Sequence, residues 1–296
     1  MRILLTGGRG QLGHDLRELL AERHEISAPT SAELDLADAA QLRQWTRRLR
    51  PELVLNCGAY TAVDACEGEL DRCLAVNGVA PGVLAEECAG LGARLIHIST
   101  DYVFAGDRPV PRPYDEDDPV APASAYGRSK LAGEEAVRRA LDNHLIVRTA
   151  WLYGIAGKNF LKTMLRLALK PPAAGVRVVD DQYGSLTWSW RLARQLEALL
   201  KSPLTGTVHA TAQGHSSWYQ GAGCFLAAMG LPRDFRPCAT ADYPTPARRP
   251  ANSILDNRRL RQAGLDLMQP WDDDVREFAR RHHDTLLAEA RSLLGM

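Results

Sequence analysis

The segment MRILLTGGRGQLGHDLRELL, residues 1–20, decides the fold. Residues 3–6 are a short apolar run of strand length, and they lead into Gly7, Gly10 and Gly13, a G-x-x-G-x-x-G arrangement. Leu12, Leu16, Leu19 and Leu20 then recur at helical spacing and mark one apolar face. In the order strand, glycine turn, helix, the helix N-terminus offers unpaired N–H groups and the positive end of its dipole to a pyrophosphate, while glycine lets the backbone approach closely. These residues read as a dinucleotide site, with a purely structural turn as the alternative.

Working outward, short apolar runs alternate with helical periodicity through the first half of the chain. A weak strand is read at 25–28, then a helix with Leu42, Trp45 and Leu49 on its inner face and Asp38 as its cap. LVLN at 53–56, RLIHIS at 94–99 and HLIVR at 144–148 are further strands, with helical stretches around Pro81 and after Ser124. Strands that alternate with helices cross over into a parallel sheet. The fold class is therefore α/β, a Rossmann-like doubly wound parallel sheet over residues 1–150. Past Trp151 the pattern loosens into an amphipathic segment at 159–170, a strand at 176–179, and helices at 187–200 and 271–294. Residues 151–296 read mainly as a smaller C-terminal substrate-binding lobe over the sheet's carboxyl edge, with segments from about 183–212 returning to the sheet. The run 231–250 holds several prolines and reads as an ordered, largely non-helical binding loop.

Lysine plus arginine balance aspartate plus glutamate at 36 each, so net charge points to no nucleic-acid or membrane partner. Hydrophobic residues make up 45% of the 296, enough for a sizeable core. The six cysteines, at 57, 66, 73, 88, 224 and 238, show no CxxC pair or metal-ligand spacing and read as reduced, mostly buried thiols. No leader precedes the first strand and no apolar run reaches membrane-spanning length, so a soluble, cytoplasmic protein is expected.

Two stretches carry chemistry. SAYGRSKLAGE at 124–134 sets Tyr126 and Lys130 four residues apart at the start of a helix, one turn apart on one face. A neighbouring positive charge favours a phenolate and moves the phenol toward physiological pH, which would suit proton transfer; an ordinary amphipathic helix is the alternative. After the second strand the chain reads ISAPTS at 26–31, where many NAD enzymes carry an acid about 20 residues beyond the glycines to hold the ribose 2′-hydroxyl. Ser27, Thr30 and Ser31 would instead bond a 2′-phosphate without repelling it, which favours NADPH. No arginine is evident in that stretch, so use of NADH stays open. Asp35 and Leu36 would meet the adenine, with a helix-cap role for Asp35 as the alternative.

With the glycine turn, STDYVF at 99–104 and Tyr126-x-x-x-Lys130 present in this order, the chain resembles the extended short-chain dehydrogenase/reductases. NCGAYTAVDACE at 56–67, NFLKTMLRLA at 159–168, DQYGSLT at 181–187 and YPTPARRPANSILD at 243–256 narrow the resemblance to the dTDP-4-dehydrorhamnose reductase family. The resemblance implies that a nicotinamide cofactor delivers hydride to the C4 ketone of a dTDP-linked 4-keto-6-deoxyhexose. It implies Tyr126 as proton donor, Lys130 as the group that tunes the phenol and bonds the nicotinamide ribose, and Thr100 as the group that polarises the ketone. Gly10, Gln11, Leu12 and Gly13 would meet the pyrophosphate beside Gly7, and Ala59 and Tyr60 would line the cofactor. Asp101 and Trp151 would touch the sugar or its nucleotide, and Arg248, with Arg249 beside it, the substrate diphosphate. The bland alternatives are a strand-end cap for Thr100, hinge packing for Trp151 and an exposed loop pair for the arginines.

The match has departures. Cys57 and Gly58 stand where the family commonly has alanines. Some members are dimers bridged by magnesium through glutamates, whereas Trp188, Ser189, Trp190 and Arg191 occupy the helix where one such acid would lie. No metal site is assigned, and monomer and homodimer both stay open. The adjacent His282 and His283 read as a solvated face, and the acidic run 115–118 as a solvated loop. Two other functions compete: a nucleotide-sugar 4,6-dehydratase or epimerase, and a non-catalytic regulatory subunit of the methionine adenosyltransferase type on the same fold. Tyr102 after Asp101, where dehydratases carry glutamate, argues against dehydration; intact Thr100, Tyr126 and Lys130 argue for an enzyme.

Overall fold

The computed structural model describes residues 1–296. Its first half runs β1 (Arg2–Thr6), α1 (Gln11–Leu20), β2 (Glu25–Ser27), α2 (Ala39–Leu49), β3 (Leu53–Asn56), α3 (Leu70–Leu74), α4 (Ala80–Leu91), β4 (Arg94–Thr100), α5 (Ala125–Ala140) and β5 (His144–Thr149). The second half adds β6 (Leu152–Tyr153), α6 (Phe160–Leu169), β7 (Arg177–Val179), β8 (Tyr183–Gly184), β9 (Thr187–Trp188), α7 (Ser189–Leu199), β10 (Gly206–His209), β11 (Ser216–Ser217), α8 (Trp218–Ala228), β12 (Arg236–Cys238), α9 (Arg258–Gln262) and α10 (Trp271–Leu294).

Six parallel strands form the main sheet in the order β10-β5-β4-β3-β1-β2. The chain enters at β1, moves outward to β2 and then returns to β3 on the other side. That reversal opens a crevice at the carboxyl ends of β1 and β3, the place where doubly wound folds bind ligands. Helix α1 packs on α7 over one face of the sheet, and α2, α4 and α5 cover the other. The inner strands β1, β3, β4 and β5 are rich in Leu, Ile and Val because both faces are buried. A separate core, built from Tyr153, Trp188, Phe225 and Phe278 among α6, α8 and α10, lies beyond the carboxyl edge.

Local chemistry explains the element starts. The Asp38 carboxylate accepts from the amides of Ala40 and Gln41 at the head of α2, Ser124 Oγ from Gly127 in α5, and Asn159 Oδ1 from Lys162 in α6. Ser217 and Gln220 form a reciprocal capping box on α8. Around Pro81 the helix is continuous with a π turn at Ala75–Val79; proline has no amide for the Asn77 carbonyl, which packs against α5 where a Cβ on Gly133 would lie 2.1 Å away.

The proline-rich run is largely non-helical and contains β12, paired in parallel with β7. Two expectations are corrected. The acidic run 115–118 is not simply solvated. Asp118 forms a two-pronged ion pair with Arg108, Asp115 and Asp117 engage Arg258, and the buried Glu116 accepts from the amides of His209 and Arg259. His282 sits at a kink in α10 with its ring against Phe278 and Trp188, because non-helical backbone there turns it inward. No helix is long and apolar enough to cross a membrane.

Candidate active site

A cleft of about 820 Å³ runs along the crevice, from the glycine turn past the end of β3 to the head of α5. Its first wall is mostly backbone. Gly7 has φ +69, and a Cβ there would lie 2.7 Å from the Gly58 amide; a Cβ on Gly13 would lie 2.2 Å from the Gly7 carbonyl oxygen. The turn therefore lies directly against α1. Gly10 starts that helix without a side-chain cap, so the amides of Gln11, Leu12 and Gly13 remain available at the cleft. The cradle and its free donors fit the pyrophosphate of a dinucleotide.

Further along this wall stand Asp35, Leu36, Ala59 and Tyr60. Asp35 uses Oδ1 to accept from the Ala37 amide and leaves capping of α2 to Asp38. Asn77 grips Tyr60 by both backbone groups, at 2.9 and 3.0 Å, which fixes the segment after β3. Pro29, Thr30 and Ser31 close the far end, and Arg9, from inside the glycine turn, lines the same cleft. An arginine sought after the second strand thus comes from the first loop. The signal was visible in TGGRGQLG, but nothing in linear spacing connects position 9 with positions 30 and 31.

The opposite wall is built of side chains. Thr100 ends β4, and its hydroxyl donates to Asp101 Oδ1 at 2.9 Å while accepting from the Tyr102 amide at 3.2 Å, so it is both a cap and a cleft residue. Tyr126 and Lys130 project together from α5. The Tyr126 ring meets the Tyr102 ring edge-on at 5.6 Å, and its hydroxyl interacts with Thr100. Lys130 donates from Nζ to the Ile98 carbonyl at 2.7 Å, with His97 Nε2 at 3.5 Å.

The electrostatics revise one expectation. Burial, and then the Asp101 charge, push the Tyr126 phenol above its ordinary pKa. Lys130 does not offset this, since its amine is turned to Ile98 and is itself lowered by burial to about 8. Tyr126 is therefore a protonated acid at neutral pH. Burial also raises Asp101 to about 6, and its Oδ2 has no hydrogen-bond partner.

Trp151, the residue after β5 and its Ala150 neighbour, has φ +48, a left-handed conformation uncommon for a large side chain. Its ring stacks on Trp218 with centroids 3.5 Å apart and planes at 7°, and both line the cleft. Trp218, at the head of α8, carries no motif that would have singled it out. Arg248 is exposed and lies outside the cleft lining, whereas Arg249 is half-buried, pairs with Asp64 at 2.7 Å and adjoins Tyr102. The alternation of burial along the loop, illegible in a proline-rich run, separates the two.

The residues 188–191 do not suit a bridging metal. Trp188 is core, Ser189 bonds the buried Asp15 carboxylate, and Arg191 pairs with Asp274 and Glu277. His14, Asp15 and Glu18 cluster nearby, but Asp15 is committed to Ser189 and His14 to Glu18.

Comparison with known proteins places these features in a family. The RmlD substrate binding domain matches residues 1–283. A dTDP-4-dehydrorhamnose reductase of Streptomyces griseus is 42% identical over 278 residues, covering 91% of this chain and 90% of that protein. The spore coat polysaccharide biosynthesis protein SpsK of Bacillus subtilis is 38% identical over 278 residues, covering 94% of this chain and 96% of its own. The crystal structure of a dTDP-4-dehydrorhamnose reductase from Bacillus anthracis in complex with NADP has a TM-score of 0.90 and 36% identity, over 95% of this chain and 99% of that one.

Proposed function

Because the chain belongs to the RmlD substrate binding domain family, we propose that it reduces the C4 ketone of dTDP-4-dehydro-L-rhamnose to dTDP-L-rhamnose, with NADPH as its preferred cofactor. The observation that carries the proposal is the half-buried Tyr126 beside Thr100 and one turn from Lys130, in a cleft continuous with the glycine turn.

A nicotinamide cofactor, when bound, supplies hydride to the ketone carbon. Gly7, Gly10, Gln11, Leu12 and Gly13 hold its diphosphate, with Asp35, Leu36, Ala59 and Tyr60 along its length. Thr100 turns its hydroxyl hydrogen from Asp101 Oδ1 toward the ketone oxygen as charge develops there. Tyr126 gives its phenolic proton to that oxygen, and Lys130 returns a proton to the phenolate. Asp101 and Trp151 bound the sugar. Arg9 favours a 2′-phosphate, with Thr30 and Ser31 as hydrogen-bond partners beside it. The diphosphate of the sugar nucleotide falls to the loop of Arg248 and Arg249, of which Arg249 is the nearer to the cleft through Tyr102. The unpaired thiols suit a reducing compartment, and we assign the reaction to the cytoplasm.

The test is oxidation of NADPH and NADH in the presence of dTDP-4-dehydro-L-rhamnose, with the product identified by NMR. Turnover to dTDP-L-rhamnose, faster with NADPH, is expected. Tight cofactor binding without turnover would overturn the substrate assignment and favour a regulatory role.

A further inference from the structure

Behind the catalytic lysine a line of buried polar side chains crosses the sheet. Thr6 ends β1, Asn56 ends β3 and His97 lies in β4, and the strand register sets Thr6 beside Asn56 and Asn56 beside His97. Thr6 and Asn56 are 1% exposed and His97 0%. Groups buried this deeply are costly unless hydrogen-bonded, and here they form one chain. The Gly58 amide lies 3.1 Å from Thr6 Oγ1, which lies 2.6 Å from Asn56 Oδ1; Asn56 Nδ2 is 2.9 Å from His97 Nδ1, and His97 Nε2 is 3.5 Å from Lys130 Nζ.

The Gly58 end sets the direction read for this chain. The Gly58 amide can only donate, so Thr6 Oγ1 accepts there, and the Thr6 hydrogen has Asn56 Oδ1 as its acceptor. The Asn56 side-chain nitrogen then donates to His97 Nδ1. Burial, followed by the nearby lysine charge, holds His97 neutral; with Nδ1 accepting from Asn56, its one ring hydrogen sits on Nε2, a donor that finds an acceptor only when Lys130 is the uncharged amine. Were the Asn56 amide turned over, the Thr6 hydrogen would be buried with no acceptor. The chain therefore ends with an N–H aimed at Lys130 Nζ, which itself donates to the Ile98 carbonyl at 2.7 Å.

We propose that His97 is a positioning residue for Lys130: the chain Gly58–Thr6–Asn56–His97 delivers a donor to the lysine nitrogen, favours its uncharged amine and readies it to pass a proton to Tyr126. The inference rests on the reductase reading. In that cycle the Tyr126 O–H proton goes to the substrate oxygen, the phenolate takes a proton from the Lys130 ammonium, and the amine regains one from water. An ammonium held poorly is the better donor for that second step. The other titratable groups facing the amine are Glu134 one turn on and Tyr126 one turn back along α5, Cys57 after β3 and Cys73 on α3. Glu134, Cys57 and Cys73 favour the charged form and burial opposes it; the donor from His97 acts on the side of burial. Because the chain starts at Gly58, packed against Gly7, it links the lysine to the strand ends that frame the cofactor cleft.

The experiment uses the intact protein without sugar substrate, so it can fail independently of the reductase reading. Imidazole ¹⁵N–¹H NMR of the wild type is expected to show the His97 hydrogen on Nε2; a hydrogen on Nδ1 overturns the proposal. His97→Leu removes the donor and adds no charge. Its Lys130 midpoint, followed by ¹⁵Nζ NMR titration, is expected to rise by about one pH unit, and the basic limb of kcat/KM to move up with it, while the KM for NADPH stays within about twofold. An unchanged or lowered midpoint overturns the proposal. Should His97→Leu not fold, Asn56→Asp takes its place: its carboxylate accepts from His97, moves the hydrogen to Nδ1 and should likewise raise the midpoint, and a midpoint that stays put despite that move overturns the proposal.

Discussion

The two walls of the cleft are made of different material. The cofactor wall is backbone: Gly7 against Gly58 and Gly13 against Gly7, so close that no Cβ fits. The wall proposed for catalysis is side chain: Thr100, Asp101 and Lys130 are buried and Tyr126 is half-buried, and desolvation shifts the ionisation of Asp101, Tyr126 and Lys130. A backbone wall can be damaged only by adding atoms, and the damage reaches the fold. A side-chain wall can be disarmed by removing one atom with the fold left intact.

Tyr126→Phe is the sharpest test of that contrast. It deletes one oxygen and keeps the ring against Tyr102. We expect kcat to fall by roughly 10²–10⁴, with NADPH affinity and melting temperature close to wild type. Steady-state kinetics beside a fluorescence titration of NADPH would decide it; near-normal kcat would remove Tyr126 from the acid's role.

Gly13→Ala should do the reverse. The added methyl meets the Gly7 carbonyl oxygen at 2.2 Å and the Gly8 Cα at 2.7 Å, backbone atoms that can retreat only if α1 moves off the turn. A cost of about 1–3 kcal/mol in stability is expected, with NADPH affinity weakened at least roughly tenfold as the helix amides leave their place. Calorimetry and the same titration test both; an unchanged NADPH affinity would mean that the diphosphate sits elsewhere.

Asp101 gives the catalytic wall a pH signature. Its carboxyl is raised from 3.8 to about 6 by burial. Between those values the unfolded chain has already released the proton that the fold keeps, so stability falls as pH climbs through the window and stays reduced above it. Asp101→Asn removes that loss. The variant should be more stable than wild type at pH 7 by about 1–3 kcal/mol, and the gap should shrink toward pH 4 as both forms become neutral there. Denaturant melts at the two pH values measure it, and a gap independent of pH would refute the assignment.

What the sequence disclosed follows the same division of materials. The glycine turn was legible because its spacing is local and only glycine fits there. Tyr126 and Lys130 were legible because helical spacing puts them on one face. The electrostatic reading of that pair was not, since the direction of Lys130 Nζ depends on a carbonyl in β4 that no spacing reveals. Five of the six strands of the sheet were legible from short apolar runs; β10, which reads Gly-Thr-Val-His, was not. In the lobe beyond it the helices at 159–170 and 271–294 and the strand at 176–179 were legible, whereas its other strands, two or three residues long, and its aromatic core assembled from distant segments were not. Glu116 looked like one charge of a solvated run; only the return of the chain at His209 and Arg259 gives its carboxylate buried amides to accept from.

The smallest expected effect concerns Arg9, where the two materials meet: a side chain carried by the backbone wall. It is exposed and lines the end of the cleft occupied by Pro29, Thr30 and Ser31. Thr30 and Ser31 are hydrogen-bond partners for either a ribose hydroxyl or a phosphate, so they do little to separate NADPH from NADH. A guanidinium does separate them, since it gains charge-assisted bonds only when the 2′-phosphate is present. Solvent screening at an exposed position keeps that gain modest. Arg9→Ala should therefore raise the KM for NADPH by about tenfold and leave the KM for NADH and both kcat values near wild type, and the loss should shrink as salt is added. Equal losses with both cofactors would make Arg9 part of the turn's architecture, and no loss with either would leave the preference to Thr30 and Ser31 alone.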